Sequence, residues 1–402
     1  MTNPASGAPP RPLAALLDEY KEFLTAERGL AAGTVRTYAS CINVCMNIIG
    51  ERIGREVLAT DLLDRENIRA YLRGHVAKLS SGRDGNYRAS VGGLVDWLMA
   101  EGHIPYGPNH IKATPAPKRT TKTKRDRRLS VDEIRAVLGE ADGWHPLYRF
   151  LFLFMLETNL RISEVVGTVD HEPLRWSAVR WDEEVVRFNN YKGREHGLSV
   201  PLTPELRAIL TAWKDVYEKD LAKLSPGLDR VPIKGSWFIF PALRGLGKAP
   251  KGRRRRMILN PTSRLTEPRA ITMRLFKATG IYQGPGDSWH MVGRKTGGNA
   301  VKQVARDLNR GDSLELAQAA LHHKDSRTTL AYLDPDADYN RYHDFRMQYS
   351  IWDDDLLSEI PELRPAHEAR KAQEPKIEPV PDQPEALPPG GKVIPFASRR
   401  RA

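Results

Sequence analysis

Phe150-Leu151-Phe152-Leu153-Phe154-Met155-Leu156-Glu157-Thr158-Asn159-Leu160-Arg161-Ile162-Ser163-Glu164 is the stretch on which the reading of this chain turns. Its first seven residues are apolar without a break. They fall short of the roughly 18 residues that a membrane span requires, so they read as a helix buried in a protein core. Arg161 follows that helix directly, between Leu160 and Ile162. An arginine in apolar surroundings requires a partner or an anionic ligand. Glu164 lies three residues on, on the same helical face, and can orient it. The two readings at this point are a plain Arg161–Glu164 ion pair and a supported anion site.

The chain around it has 402 residues, which points to two domains with tails. Hydrophobic residues make up 40%, enough for substantial cores, and 62 Lys+Arg against 50 Asp+Glu leave a net charge of +12. That balance favours a polyanionic partner, most often nucleic acid. The only cysteines, Cys41 and Cys45, speak against a disulfide framework and for a reducing compartment. Their spacing would suit two metal ligands on a helix, yet no Cys or His follows at finger-like spacing, so they read as core. Residues 1–12 are rich in Pro and Ala without the apolar stretch of a signal peptide. No apolar run reaches membrane length.

Helical periodicity fills 13–107. Leu13, Leu16, Leu17, Tyr20 and Leu24 mark one face; Thr34 is placed to cap a second helix carrying Val35, Tyr38, Ile42, Met46 and Ile49. A third helix carries Ile68, Tyr71, Leu72, Val76 and Leu79, and a fourth runs from Tyr87 through Leu98 to near Gly102. The four make a small bundle, with Lys78, Arg83 and Arg88 on or beside the last two helices, either solvated or facing DNA phosphates. Residues 108–128 break the pattern with three prolines and then Lys118, Arg119, Lys122, Lys124, Arg125, Arg127 and Arg128, an extended basic linker suited to a DNA backbone. A second domain, 129–352, opens with the capping box Ser130-Val131-Asp132-Glu133. Helices run to about Gly167, and Val185–Phe188 and Leu198–Val200 read as a hairpin around Lys192-Gly193-Arg194. A helix follows Thr203, Trp237–Phe240 reads as a short buried strand, and 244–256 is a loop ending in four arginines. Helices return from about Thr266 to His343. Residues 353–402, rich in Pro, Glu and Lys, read as a disordered tail.

Four cationic or polar residues and a tyrosine then stand in order: Arg161, Lys192, Arg294, His323 and Tyr332. Cleaving a phosphodiester with a protein hydroxyl builds charge on the non-bridging oxygens, and the arginine fork binds two of them while staying protonated. Lysine on a turn can protonate a leaving 5′-oxygen. Tyrosine is a poor nucleophile unassisted, and one cationic cluster serves both to stabilise phenolate and to attract phosphate. Arg294 precedes Thr296-Gly297-Gly298-Asn299-Ala300, small residues that permit close helix packing.

This order resembles the tyrosine recombinases, or phage integrase family. Thr158–Glu164 is similar to that family's T-G-L-R-[IV]-S-E segment, with Asn159 for glycine. Tyr191-Lys192-Gly193-Arg194 with Val200-Pro201-Leu202 resembles its lysine hairpin. Leu321-His322-His323 through Thr328-Thr329 to Tyr332 resembles its L-G-H…T-T…Y segment, with His322 for glycine. One departure stands out. The family's second arginine follows a histidine as H-x-x-R, whereas His290 lies four residues before Arg294, and Lys295 replaces a frequent histidine. Either a one-residue bulge restores His290 to the site or its role is lost.

The resemblance implies a mainly α fold with a small β-sheet, in which a SAM-like core-binding bundle precedes an α+β catalytic domain. It implies that Tyr332 forms a 3′-phosphotyrosyl bond with Lys192 as acid, Arg161, Arg294 and His323 on the non-bridging oxygens, and His290 assisting, without metal, cofactor or ATP. The partners implied are double-stranded DNA, further copies of the chain in a tetramer, and accessory DNA-bending proteins, on nucleoid DNA in the cytoplasm. Among the family's functions a mobile-element or phage integrase is preferred over a Xer-like resolvase. A type IB topoisomerase, a catalytically inactive DNA-binding relative and a metal nuclease using His290, His322 and His323 are the competing readings. Ile351 and Trp352 are placed either in the core or as anchors on a neighbouring protomer.

Overall fold

The computed structural model describes residues 11–79, 81–115, 128–190, 195–225, 227–245, 257–284, 287–308, 316, 319 and 335–373. The chain forms two compact units, the first comprising 1–126 with 168–172 and the second the remainder.

The first unit is a helical bundle of α1 (Leu13–Ala26), α2 (Ala32–Ile53), α3 (Arg65–Gly74), α4 (Ser81–Ala100) and a single turn, α5 (His110–Ala113). Leu16, Tyr20, Ile42, Ile49, Ile68, Tyr71, Leu94 and Leu98 meet in one core, as their helical spacing requires. The α3 helix is opened by Asp64, whose side chain accepts from the amides of Glu66 and Asn67 at 2.7 and 3.2 Å. Two expected boundaries move. The α2 helix starts at Ala32 with Ala31 in the cap position, so Thr34 lies in its first turn rather than at the cap. The α3 helix ends at Gly74, and Val76 sits on a separate 3-10 turn, buried all the same. Cys41 and Cys45 are buried free thiols, and no group of His, Cys, Asp or Glu among the described residues is arranged to hold a metal.

The second unit is built round α7 (Pro146–Thr158), in which every residue from Phe150 to Thr158 is buried. Before it comes α6 (Val131–Asp142), closed by the expected capping box: the Glu133 amide donates to Ser130 Oγ at 3.2 Å and the Ser130 amide to Glu133 Oε2 at 2.9 Å. After it come the short α8 (Ile162–Val166) and an antiparallel sheet of β1 (Val179–Arg180), β2 (Val185–Asn190) and β3 (Glu195–Pro201). The β2–β3 register sets Val186 opposite Val200 and Phe188 opposite Leu198, with an irregularity before Asn190. Then α9 (Pro204–Ala222) begins at its cap Thr203, and β4 (Pro241–Gly245) pairs with β5 (Met257–Arg264). Next are α10 (Pro268–Ala278), a π-helix (Met291–Gly297) and α11 (Gly298–Asp307). The last elements are α12 (Pro335–Gln348), α13 (Asp354–Glu359) and α14 (Arg364–Gln373). Phe152, Phe154, Trp213, Phe240 and Trp289 are central to the core. No described helix is long and apolar enough to cross a membrane.

Phe238–Phe240 are buried and Trp237 half-buried, but the segment is not a strand. The Phe238 amide donates to Pro261 and the Ile239 amide to Leu174, while Trp213 and Tyr217 donate to the carbonyls of Ile239 and Phe238. With each polar group sent to a different segment, no ladder forms, and the strand proper starts at Pro241. Residues expected as tail fold into α13 and α14, because Leu356, Leu357, Ile360 and Leu363 recur at helical spacing and enter the main core. Ion pairs Arg135–Glu359 and Arg149–Glu362, both 2.7 Å, fasten this segment to α6 and α7. Trp352 likewise packs into its own chain's core. Residues 374–402 lie outside the described residues.

Asp220, near the end of α9, staples three elements. Its carboxylate meets Lys223 at 2.6 Å, His145 Nε2 at 3.5 Å and the Leu259 amide at 2.9 Å. Burial pushes its pKa up, but the bonds from His145, Lys223 and Leu259 outweigh it and bring the group down to about 2. A folded-state pKa below the ordinary value means stability that is present above pH 3.8 and lost as pH falls toward about 2. Asp220→Asn is expected to cost on the order of 2 kcal/mol at neutral pH and to flatten this acid limb, measured by urea unfolding across pH.

Candidate active site

The site begins where α7 ends. Asn159 takes the left-handed conformation, φ 58°, and closes the helix. Glycine adopts this conformation without cost and asparagine tolerates it, so Asn159 in place of the family's glycine keeps the same turn. The turn buries Leu160 and sets Arg161 at the cap position of α8. Glu164 fixes Arg161 twice: its Oε2 accepts from the Arg161 amide and its Oε1 from Nη1, both at 2.7 Å. The Glu164 side chain is buried, while that of Arg161 keeps 23% exposure. Arg161 is thus both ion-paired and presented at a surface.

Arg294 arrives from the π-helix, which lies against the last turn of α7. A Cβ on Gly293 would stand 2.7 Å from the Met155 carbonyl oxygen, and one on Gly297 would stand 2.6 Å from that of Leu156 and 1.8 Å from Asn159 Oδ1. Only glycine allows this approach. Thr296 Oγ1 bonds the Met291 carbonyl at 2.9 Å and accepts from the Leu129 amide at 3.0 Å, locking the π-helix to the start of the domain. Arg294 is buried to 3% exposure. Burial first, and the charge of Arg161 second, lower its pKa to about 10, against an opposing pull from Glu164. Two arginines and one carboxylate therefore stand close enough to interact, and burying the Arg294 guanidinium carries a desolvation cost.

His290 stands immediately before the π-helix and is exposed. A π turn takes one residue more than the usual i→i+4 pattern, which is the length by which the His290–Arg294 spacing exceeds H-x-x-R. A widened helical turn of this kind is one of the two alternatives that the sequence left open, and His290 is exposed at its start. Lys192, His323 and Tyr332 lie outside the described residues; β2 and β3, which flank Lys192, do form the expected hairpin arms.

Sequence reading missed a group of residues behind Arg161. Glu157, fully inside α7, accepts from Thr203 Oγ1 at 2.7 Å, from Trp352 Nε1 at 2.5 Å and from the Arg346 guanidinium. Arg346 also donates to the Glu157 carbonyl oxygen at 3.3 Å. A charged residue late in an otherwise apolar helix was the available signal.

In the first unit Arg83 is exposed and, with Arg36, Ser40 and Asn86, lines a polar cleft of about 430 Å³. The Arg88 guanidinium donates to the carbonyls of Thr114 and Pro115 at 2.9 and 3.5 Å, just past the end of α5. It holds the start of the linker while staying half-exposed. Lys118, Arg119, Lys122, Lys124 and Arg125 lie outside the described residues.

Gly293→Ala is expected to cost about 1–3 kcal/mol in urea unfolding, since the Met155 carbonyl cannot withdraw without opening α7. Arg294→Met is expected to abolish the shift in thermal midpoint that added sulfate or phosphate produces in the wild type.

Residues 17–102 match the family described as the phage integrase N-terminal SAM-like domain. Over 205 residues the chain is 29% identical to the tyrosine recombinase XerC of Xylella fastidiosa, a match covering 49% of this chain and 63% of that protein. Over 155 residues it is 24% identical to the tyrosine recombinase XerD of Listeria innocua, covering 38% and 50% respectively. The matches thus span between half and under two thirds of these curated relatives. A lambda integrase, solved as a tetramer bound to a Holliday junction, has the same fold at 19% identity and a TM-score of 0.53, with 81% of this chain and 78% of that one aligned. The chain therefore carries the SAM-like N-terminal domain of phage integrases, is similar in sequence to tyrosine recombinases and shares the fold of a lambda integrase.

Proposed function

We propose that the protein is a site-specific DNA recombinase that cuts and rejoins DNA through a phosphotyrosyl intermediate, in the service of a mobile element or phage. The observation that carries this reading is the convergence of Arg161 and buried Arg294, with Glu164 orienting Arg161 from behind. In this reading the Tyr332 phenolate attacks the scissile phosphorus, its oxygen bonds to the 3′-phosphate, and the 5′-oxygen leaves with a proton from Lys192. Arg161, Arg294 and His323 hold the non-bridging oxygens, where charge grows in the transition state. His290, at the start of the widened helix, assists proton transfer. The phosphotyrosyl bond conserves the energy of the phosphodiester, so a 5′-hydroxyl from a second duplex reverses the step without ATP. The bundle, through Arg83 and its cleft, and the basic linker grip double-stranded DNA, and four copies assemble on two duplexes.

The reading is tested by trapping. Wild type and Tyr332→Phe are incubated in EDTA with nicked duplexes drawn by covalent capture from a random-sequence pool. An SDS-resistant adduct with wild type and none with Tyr332→Phe is expected, and Arg161→Ala should slow its formation by about 10²–10³-fold. Tight DNA binding with no adduct from wild type would favour an inactive DNA-binding relative.

A further inference from the structure

The buried carboxylate of Glu157 lies at the meeting point of four separate stretches of chain. Its own helix, α7, leads within four residues to Arg161. Thr203, which donates to it at 2.7 Å, is the cap of α9 and follows directly on β3, one arm of the hairpin that bears Lys192. Arg346 lies on α12, which starts three residues after Tyr332 in the sequence, and it is 1% exposed. Trp352, donating at 2.5 Å, opens the segment that leads into α13 and α14. A second pair stands alongside: Arg370 on α14 grips Glu205, in the first turn of α9, at 2.5 and 2.9 Å, and donates to the Gln348 and Met347 carbonyls at 2.8 and 3.3 Å, so that the end of α12 is capped by a side chain from α14.

We propose that Glu157 is the positioning residue of this site: one buried carboxylate holds in register the stretches that lead to or from Arg161, Lys192 and Tyr332. The proposal rests on the reading of Tyr332 as nucleophile. Each of those stretches folds with its own local contacts, and none of them alone determines where the others stand. A buried carboxylate is intolerant of an unfilled position, because each lost donor leaves charge without a partner in a low-dielectric interior. Thr203, Arg346 and Trp352 must therefore all be seated together. Burial acts to lower the Arg346 pKa and the facing Glu157 charge raises it above the ordinary value, while burial raises that of Glu157 against the pull of Arg346, so each group leans on its partner for its charge. The demand extends to chemistry because misplacing a reacting group by about 1 Å can cost 10²-fold in rate.

Glu157→Ala alone would leave Arg346 buried without its counter-charge and confuse folding with positioning. The matched double variant Glu157→Met with Arg346→Met removes both charges at similar volume, a change that folded proteins commonly accept. It is expected to melt cooperatively and to bind the captured duplexes with a Kd within about twofold of wild type, while forming the Tyr332 adduct at least about tenfold more slowly, a deficit that cooling well below its melting point does not recover. Hydrogen exchange should rise together in 159–166, 195–206 and 341–352. An adduct rate equal to wild type, or one that recovers on cooling, overturns the positioning role and leaves the recombinase reading standing. Absence of an adduct from wild type overturns the recombinase reading, and the positioning role falls with it.

Discussion

Gly293 and Gly297 let the π-helix lie directly against the carbonyl oxygens of Met155 and Leu156, and the rest of the site depends on that approach. No side chain intervenes at those two positions, so the distance between Arg294 and the α7–α8 turn is set by backbone contact rather than by rotamers. Backbone is the stiffest material a protein has, and preorganised charge is useful only when it cannot relax away from its target. The hydroxyl of Thr296 adds a lock by joining Met291 to the Leu129 amide at the entrance of the domain.

Close approach has an electrostatic cost. Arg294 loses hydration and faces the like charge of Arg161, and its lowered pKa expresses both. Glu164 offsets part of this while spending its other oxygen on the Arg161 amide. Arg294 still remains protonated at neutral pH, since its pKa stays near 10. In the free protein Arg294 thus carries a desolvation cost beside the like charge of Arg161, an environment that favours an anionic ligand. Glu157, one turn behind, carries a different burden: it is neutralised by Arg346 and serves the architecture.

The C-terminal helices show how composition can mislead. Asp, Glu, Arg and Lys fill nine of the 21 positions of 353–373, and that balance resembles a solvated tail. Four apolar residues at helical spacing are nevertheless enough to seat α13 and α14, once Arg135, Arg149 and Glu205 supply partners for Glu359, Glu362 and Arg370. Those partners lie more than 160 positions away, beyond the reach of any local pattern. The same holds for Trp237–Phe240, where local β-propensity is overruled because each amide finds its acceptor on a different segment. Arg88 reads from the sequence as a surface cation, and the carbonyls of Thr114 and Pro115 claim it.

By itself the sequence determined what short-range physics controls: the α6 capping box, the left-handed turn that Asn159 can take, the helical faces of the bundle, the hairpin arms around Lys192, and the order of charged residues that resembles the family. It also required an extra residue between His290 and Arg294 to be absorbed somewhere. Only the tertiary structure decided how: a π turn, with His290 exposed at its start and Arg294 buried within it. It alone brought Arg161 and Arg294 together, placed Glu157 between Thr203, Arg346 and Trp352, and turned Trp352 into its own chain's core. The reason is one of range. Caps, turns and periodicity are settled by neighbours within a few residues, whereas the burial of a charge is settled by whichever distant segments can satisfy it, and a linear pattern does not record those.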